Sequence, residues 1–293
     1  MAEGFLLVDK PGGWTSHDVV ARVRSLLAER RVGHAGTLDP MATGLLILGV
    51  GRATRLIRFI QEAPKVYEAT ALFGVATETL DADGAILSRD EMDVDEADVR
   101  RTARRFVGRI MQVPPMVSAK KIGGRRLYEL ARQGIEVDRE AVEVDIQGIE
   151  VLDVSPGPYP EVMLRVHCGS GTYIRTLVDD IAAALGGRAH LTALRRTAIG
   201  SFGVEEADSV DRLISGAAAG SITLISPADG LRDLPSVAIG ADTAAAVGHG
   251  SVFPVGALGI GEPGPHRVLD ASGALLAVYG SDGRRAAPEV VLS

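Results

Sequence analysis

Residues 31–51 read RVGHAGTLDPMATGLLILGVG, and two different patterns meet inside this stretch. The second part, GLLILGV (44–50), is a short continuous apolar run, which is typical of a buried strand. The first part is rich in glycine and proline and holds one carboxylate, Asp39, with no second acid within eight residues on either side. The stretch therefore predicts a buried strand that is preceded by a loop with a lone aspartate.

The segments around this stretch alternate between strand and helix patterns. FLLVDK (5–10) is predicted as a strand, and Ser16 is in position to cap a helix with an apolar stripe from Val19 to Leu27. Farther along, VYEATALFG (66–74) alternates as a strand does, and GTYIRTLVDDIAAALGG (171–187) has the 3.6-residue period of a helix. The chain is predicted to be an α/β (α+β) protein.

Two segments differ in character from this framework. Within QVPPMVSAKKIGGRRLYELARQGIEV (112–137), prolines stop a helix, a glycine-jointed basic segment follows, and LYELARQG is predicted as a short helix. We interpret residues 118–140 as a basic excursion from the core. From about Leu234 onward lysine is absent and short strand patterns alternate with glycine. We therefore predict a large domain over 1–233 and a small β domain over 234–293.

Composition excludes several classes of protein. The 293 residues are 46% hydrophobic and 24% charged, which indicates a globular chain. No apolar run approaches the roughly 18 residues that span a bilayer, and the first residues lack a signal-peptide pattern. Cys168 is the one cysteine, which fits a reducing compartment. We expect a soluble cytoplasmic protein without membrane association.

The net charge of −7 hides an uneven distribution. Residues 22–58 hold seven arginines against two acids, and residues 101–132 hold nine cations against Glu129 alone. Residues 77–99 reverse this balance, with nine acids against Arg89. Solvated helix faces explain any single run, but two long stretches nearly free of acids are compatible with a polyanionic partner.

The usual cofactor motifs are missing from the sequence. The six histidines show no HxxxH spacing, and one cysteine cannot build a thiolate metal site. GLLILGVG has a P-loop's glycine spacing but places Val50 where the lysine belongs. Cys168, beside His167 on a predicted strand, is interpreted as a core residue. We therefore expect neither a metal nor a cofactor.

Asp39 is the remaining candidate for chemistry, although capping of the turn before Pro40 is an equally good explanation of this residue alone. A functional carboxylate needs a cation to keep it ionised and an aromatic ring to hold a planar substrate. Arg175 and Tyr173 lie in the first turn of a predicted helix and offer both, and Tyr67 lies on a predicted strand.

Five stretches in this order and spacing resemble the bacterial tRNA pseudouridine-55 synthase (TruB) family. The stretches are LLVDKPGGWTSHDVV, RRVGHAGTLDPMATGLLILGVGRATR, KVYEATALFGVATETLDADG, QVPPMVSAKKIGGRRLYELARQGIEV and GTYIRTLVDDIAAALGGRAHLTALRRTAIGSF. The resemblance runs from about residue 5 to 205. It implies a pseudouridine-synthase fold, with a mixed, largely antiparallel central sheet and flanking helices, followed by a small PUA-like RNA-binding domain.

The resemblance also implies an activity. Such an isomerase flips the uridine at position 55 out of the T stem-loop of tRNA and converts it to pseudouridine without a small-molecule cofactor. Asp39 would be the catalytic carboxylate, acting as a nucleophile toward the sugar or the base, or as a base toward a sugar proton, and all three roles stay open. Arg175 would orient Asp39, and Tyr67 would stack on the base and take part in proton removal.

The resemblance assigns further residues to RNA binding. His34 would fill the space that the flipped base leaves, and Tyr173 and Leu194 would line the pocket. The other residues expected to contact the substrate are cationic: Lys10, Lys120, Arg125 and Arg126. We expect a monomer.

Two rival functions remain. A tRNA-binding or tRNA-folding protein without chemistry would keep the basic stretches but would not need Asp39, Tyr67 and Arg175 together. A glycoside hydrolase usually needs two acids that flank the glycosidic bond. We interpret none of the motifs as placing a second acid beside Asp39.

Overall fold

The computed structural model describes residues 3–116, 121–122, 125–126, 135 and 137–292, with only the backbone described at the two dipeptides. In chain order the strands are β1 (Gly4–Lys10), β2 (Val32–His34), β3 (Thr43–Val50), β4 (Lys65–Phe73), β5 (Val75–Thr77), β6 (Ile86–Arg89), β7 (Gly108–Gln112), β8 (Lys121–Ile122), β9 (Arg125–Arg126), β10 (Val142–Ser155), β11 (Glu161–Cys168), β12 (Ala189–Ile199), β13 (Phe202–Gly203), β14 (Asp208–Ser209), β15 (Ser236–Ala238), β16 (Phe253–Pro254), β17 (Gly264–Leu269), β18 (Leu275–Ser281) and β19 (Arg285–Val291). The α-helices are α1 (Ser16–Leu27), α2 (Ile57–Gln61), α3 (Glu96–Ala103), α4 (Ile174–Ala184), α5 (Val210–Ala219), α6 (Pro227–Gly230) and α7 (Ala241–Gly248). Short 3-10 helices cover Gly51–Leu56, Arg104–Phe106 and Val204–Glu206.

A mixed sheet of ten described strands forms the frame of the molecule. Its main path runs β14-β1-β3-β12-β4-β11-β10-β7, with β2 beside β3 and β13 beside β12. Most neighbours are antiparallel, while β1 with β14 and β3 with β12 are parallel. The predicted mixed, largely antiparallel sheet with flanking helices is therefore confirmed.

Strand β3 is buried on both faces, which explains its continuous apolar sequence. Leu46 and Leu48 pack against the core under α1, whereas Leu45 and Ile47 belong to a second core on the opposite face of the sheet. A strand covered on one face alone would instead alternate between apolar and polar residues.

Helices α3 and α4 cover the other half of the sheet. Leu177, Val178 and Ile181 of α4 share one core with Leu164 and Val166 of β11. This packing fixes the start of α4 against β4 and β12, the strands that carry the candidate aromatic and cationic residues.

The start of α1 differs from the prediction by one residue, because Thr15 rather than Ser16 is the cap. The Thr15 hydroxyl accepts a 3.1 Å hydrogen bond from the Asp18 amide, and the Asp18 carboxylate accepts a 2.8 Å bond from the Thr15 amide. This reciprocal pair satisfies two amides that have no partner within the helix. Ser16 is thereby available to hold another loop.

A second sheet follows in the order β15-β17-β18-β19-β16. Val278 and Leu292 of this part share a core with Leu56 of the 3-10 helix. Arg55 donates a 2.6 Å hydrogen bond to the Val291 carbonyl, and Arg58 forms a 2.8 Å ion pair with Glu289. The small β part therefore packs on the large one, and its boundary at 233/234 stays a prediction.

Most of the predicted basic excursion over 118–140 falls outside the described residues. This includes Lys120, the predicted LYELARQG helix and the side chains of Arg125 and Arg126. The backbone of β8 pairs with that of β9 in antiparallel register. Within the described chain, no helix is long and apolar enough to cross a membrane.

Gly44 allows β3 and β12 to meet. Its φ angle is +103°, and a Cβ at this position would lie 2.2 Å from the carbonyl oxygen of Arg196, with which Gly44 is in register. A side chain would push β12 away from β3, the strand that follows the loop of Asp39.

We expect Gly44→Ala to destabilise the fold more than Gly108→Ala does. Both glycines have nearly the same backbone conformation, with φ of +103° and +105°, but no described atom lies within 4 Å of a Cβ at Gly108. The backbone strain of about 1–3 kcal/mol is shared, while Gly44→Ala adds a steric term of about 1–3 kcal/mol. Urea unfolding of the two variants measures the difference, and equal losses would contradict the close strand contact.

Candidate active site

Asp39 lies in the loop between β2 and β3, and the segment after β1 holds this loop in place. The Ser16 hydroxyl accepts a 2.9 Å bond from the Leu38 amide and lies 3.3 Å from the Leu38 carbonyl, to which it donates. The Gly13 amide donates a 2.9 Å bond to the Pro40 carbonyl. The backbone is thus fixed on both sides of Asp39.

Lys10 also holds the Asp39 loop in place. Its side chain is fully buried, and its ammonium donates to the carbonyls of Pro40 at 3.2 Å, Trp14 at 2.6 Å and Pro11 at 2.9 Å. Burial lowers the pKa of Lys10 to about 8, and the nearby Asp39 carboxylate opposes this shift. The placement does not support the expected contact between Lys10 and the substrate, because the ammonium is used to hold the loop.

Arg175 joins Asp39 to a second carboxylate. Its Nε and Nη2 atoms lie 3.1 and 3.2 Å from the two carboxylate oxygens of Asp39, a bidentate pair. Its Nη1 atom lies 3.0 Å from the Asp81 carboxylate and 2.9 Å from the Thr79 carbonyl. The exposed fractions of the side chains are 4% for Arg175, 7% for Asp81 and 34% for Asp39. Of the two acids, Asp39 is therefore the one that is open to a ligand.

Asp81 is the residue of this charge cluster that the sequence interpretation missed. The expectation that no acid accompanies Asp39 was wrong, because TLDADG was interpreted only as a turn. Asp81 does not line the cavity of Asp39, and its carboxylate also accepts a 3.2 Å bond from the Asp83 amide. Its contact with the site is the ion pair with Arg175, so Asp39 and Asp81 do not line one cavity as the two acids of a glycoside hydrolase do.

The pKa of Asp39 is raised above its ordinary range. Burial is the largest cause, Arg175 opposes it, and the negative charge of Asp81 adds to the rise. Asp81 is a second negative charge on the same guanidinium, and a like charge nearby favours the protonated form of Asp39. The ionised form of Asp39 is consequently lost at higher pH than for an exposed aspartate.

A buried glutamine fixes the start of α4. The Gln112 side chain accepts a 3.0 Å hydrogen bond from the Tyr173 amide and donates a 3.3 Å bond to the Tyr173 carbonyl. Tyr173 occupies the cap position of α4, so Arg175 lies in the first turn, as predicted. This double contact orients the guanidinium toward Asp39.

One cavity of about 420 Å³ brings five of the predicted residues together. Asp39, Tyr67, Tyr173, Arg175 and Leu194 all line it. Strand β4 supplies Tyr67 and β12 supplies Leu194, so the sheet forms one wall and the loop and α4 form the others. The volume is within the usual range for a small-ligand site.

His34 lines a neighbouring cavity of about 470 Å³. The two cavities share Arg58 and Gln61 as lining residues. The His34 ring packs edge-on against His17, with the ring centroids 5.5 Å apart. Strand β2 thus lines the second cavity, and the loop that follows it lines the first.

Family models match the chain over three segments. They are TruB family pseudouridylate synthase (N terminal domain) at residues 24–174, tRNA pseudouridylate synthase B C-terminal domain at 175–215, and tRNA pseudouridine synthase II, C terminal, at 234–293. Among curated relatives, tRNA pseudouridine synthase B of Thermobifida fusca is 51% identical over 219 residues, which cover 73% of this chain and 75% of the relative. The protein of the same name from Synechococcus elongatus is 40% identical over 294 residues, which cover 100% of this chain and 99% of the relative.

The chain belongs to the TruB family of pseudouridylate synthases. The resemblance in the five motifs is thereby confirmed. Among solved structures, a chain of a Cbf5-Nop10-Gar1 complex superposes with a TM-score of 0.75 and 28% identity, covering 99% of this chain and 85% of that chain. A chain of an H/ACA RNP bound to a substrate RNA containing 2′-deoxyuridine also gives a TM-score of 0.75, at 25% identity over 99% of this chain and 85% of that chain.

In this TruB family member we expect Asp81→Asn to slow catalysis while RNA binding is retained. Arg175 loses one anchor, and misplacement of a reacting group by about 1 Å costs up to about 100-fold in rate. Removal of the Asp81 charge also removes one cause of the raised pKa of Asp39, so the acid limb of the pH–rate profile should move to lower pH. Single-turnover rates on a tRNA transcript at several pH values measure both effects.

Asp83→Asn is the matched control, because Asp83 is exposed and lies two residues away in the same turn. It should leave the rate and the acid limb unchanged. An unchanged profile in Asp81→Asn would contradict the role of the shared guanidinium.

Proposed function

We propose that this chain is a tRNA pseudouridine synthase that isomerises the uridine at position 55 in the T stem-loop. The observation that carries the proposal is the bidentate pair of Asp39 and Arg175 on the wall of a cavity that is also lined by Tyr67, Tyr173 and Leu194. Family membership and relatives named tRNA pseudouridine synthase B support it.

The reaction needs a single accessible carboxylate. The N1–C1′ bond of uridine breaks, the base turns, C5 joins C1′, and the C5 proton leaves. Asp39 serves as a nucleophile toward the sugar or as a base toward a sugar proton, and both routes require its ionised form. The two contacts from Arg175 hold that carboxylate in one orientation without covering it.

The aromatic residues suit a planar base. Burial raises the pKa of the Tyr67 phenol, so this side chain stays neutral near pH 7 and presents a ring and a hydroxyl. Tyr173 and Leu194 line the same cavity with ring and aliphatic surface. Base stacking on such surfaces contributes about 1–3 kcal/mol per base.

Access to the base requires that it leave the folded RNA, at a cost of a few kcal/mol. His34 lies five residues before Asp39 and lines the adjacent cavity with Arg24, Arg55 and Arg58. We propose that His34 occupies the space of the flipped base while these arginines bind phosphates. The reaction is redox-neutral, and the enzyme acts in the cytoplasm as a monomer.

Asp39→Asn should abolish pseudouridine formation and leave tRNA binding nearly unchanged. The amide keeps the size of the side chain but cannot serve as nucleophile or base. Tritium release from C5-labelled uridine in a T-loop transcript measures turnover, and a filter assay measures binding. Retained turnover would remove Asp39 from the mechanism, whereas binding without tritium release in the wild type would favour the non-catalytic tRNA-binding protein.

Affinity for tRNA should fall as salt is added, because phosphate contacts release counterions. Arg55→Gln, at the second cavity, should reduce the slope of log affinity against log salt by about 1. Arg101→Gln on α3 is the control, since Arg101 is exposed, pairs with Asp98 and lines neither cavity. A flat salt response of the wild type would mean that the basic stretches are only solvated surfaces.

A further inference from the structure

Two buried cations line the catalytic cavity and take no part in the scheme above. Arg196 on β12 is 1% exposed and Lys65 on β4 is 6% exposed, and both line the cavity of Asp39. We call these two residues the cationic floor. Within the described part of the chain, neither is among the residues that form an ion pair, whereas Arg175 is paired with Asp39 and Asp81.

Backbone carbonyls, which carry no net charge, hold both cations in place. Arg196 donates from Nε to the Leu45 carbonyl at 2.8 Å and from Nη2 to the Gly36 carbonyl at 3.2 Å. Lys65 donates to the Ala63 carbonyl at 2.7 Å and to the carbonyl of Gln61. These bonds fix the positions of the cations but leave their charges unneutralised, which is costly for buried groups.

The two charges act on each other and on the cavity. Burial lowers the pKa of Lys65 to about 8, and the charge of Arg196 is the next cause. The acids that line the described cavity are Asp39, already bound by Arg175, and the exposed Glu62. The cavity therefore combines two cations without an acidic partner among the described residues and one acid that is already bound by Arg175.

Tyr67 connects this floor to the space for the base. It is in register with Arg196 across β4 and β12, and both side chains line the cavity of Asp39. Burial raises the pKa of the Tyr67 phenol, and the charge of Arg196 opposes this rise.

We propose that Arg196 and Lys65 stabilise the negative charge that forms on uracil when it leaves the sugar. When N1–C1′ breaks, the bonding electron pair stays on the base. C1′ is then taken by an Asp39 oxygen, or Asp39 accepts a sugar proton. The detached base carries one negative charge on either route, until its C5 forms the new bond to C1′. In that step the bond between C1′ and the Asp39 oxygen breaks, or Asp39 returns its proton to the sugar. C5 then loses a proton and N1 gains one.

This inference rests on the proposed function and extends it to two further catalytic residues. Fixed cations aimed at a developing charge in a buried site are a strong source of rate enhancement. The cationic floor serves either role of Asp39, so it does not depend on which route the enzyme follows.

The test compares uridine with 5-fluorouridine at the target position of a T-loop transcript. Fluorine withdraws electrons, so the detached fluorouracil carries its negative charge more easily and needs less help from the protein. Single-turnover loss of the target nucleoside, followed by mass spectrometry of digested RNA at saturating enzyme, reports the step that breaks N1–C1′ on both substrates.

We expect Arg196→Met and Lys65→Met to slow the uridine reaction by about 100-fold and the fluorouridine reaction clearly less. Arg196→Lys keeps the charge and should restore part of the rate, with a ratio of the two rates close to that of the wild type. Arg195→Met is the matched control. Arg195 immediately precedes Arg196 on β12, but it pairs with Asp9 at 2.7 Å and lines a different cavity. It should leave both rates near those of the wild type.

Displacement of the Asp39 loop would slow both substrates equally, and equal losses in Arg196→Met and Lys65→Met would overturn the proposal. If Arg196→Met does not fold, the other two variants decide the question. Lys65→Met keeps Arg196 itself, and Arg196→Lys keeps a positive charge at position 196. A wild-type enzyme that forms no pseudouridine would instead contradict the proposed function.

Discussion

The site depends on one guanidinium that is shared by two carboxylates. Arg175, in the first turn of α4, binds Asp39, which lies in the loop after β2, and Asp81, which lies in the turn after β5. One side chain thus joins three segments that are far apart in sequence. Removal of either partner of a buried ion pair leaves an unpaired charge at a cost of about 3–5 kcal/mol. The three segments therefore have to assemble together.

The alternation of residues along strands decides what faces the cavity. Lys65 and Tyr67 are two residues apart on β4, and Leu194 and Arg196 are two residues apart on β12, so all four line the same cavity. Arg195, between the last two, pairs with Asp9 outside that cavity. A slip of one residue in the register of β12 would bring Arg195 into the cavity in place of the buried Arg196.

The sequence was informative where a local pattern has one structural meaning. The continuous apolar run at 44–50 indicated a buried strand, and the structure covers it on both faces. The 3.6-residue period after Gly171 placed Arg175 in the first turn of a helix. The sequence did not decide which residue caps α1, because Thr15 and Ser16 are adjacent and both are good N-cap residues. Thr15 is the cap because the Ser16 hydroxyl is used elsewhere, where it accepts a hydrogen bond from the amide of Leu38, 22 residues away.

Asp81 and Arg196 could not be predicted in the same way. TLDADG has the composition of an ordinary turn, and its contact with Arg175 spans 94 residues. Arg196 belongs to a pair of arginines, and the sequence does not say which one is buried. Both assignments follow from the strand register and from the packing of α4, which are properties of the whole sheet.

The chemistry of the guanidinium explains why the shared cation is an arginine. Arg175 makes two contacts with Asp39, one with Asp81 and one with the Thr79 carbonyl, and these contacts use donors that point in different directions in one plane. A lysine ammonium has three donors on one atom and cannot hold two carboxylates on opposite sides. Burial raises the pKa of Asp39 while the two contacts from Arg175 keep its carboxylate in place. The enzyme can therefore raise the basicity of this carboxylate by burial without losing its orientation.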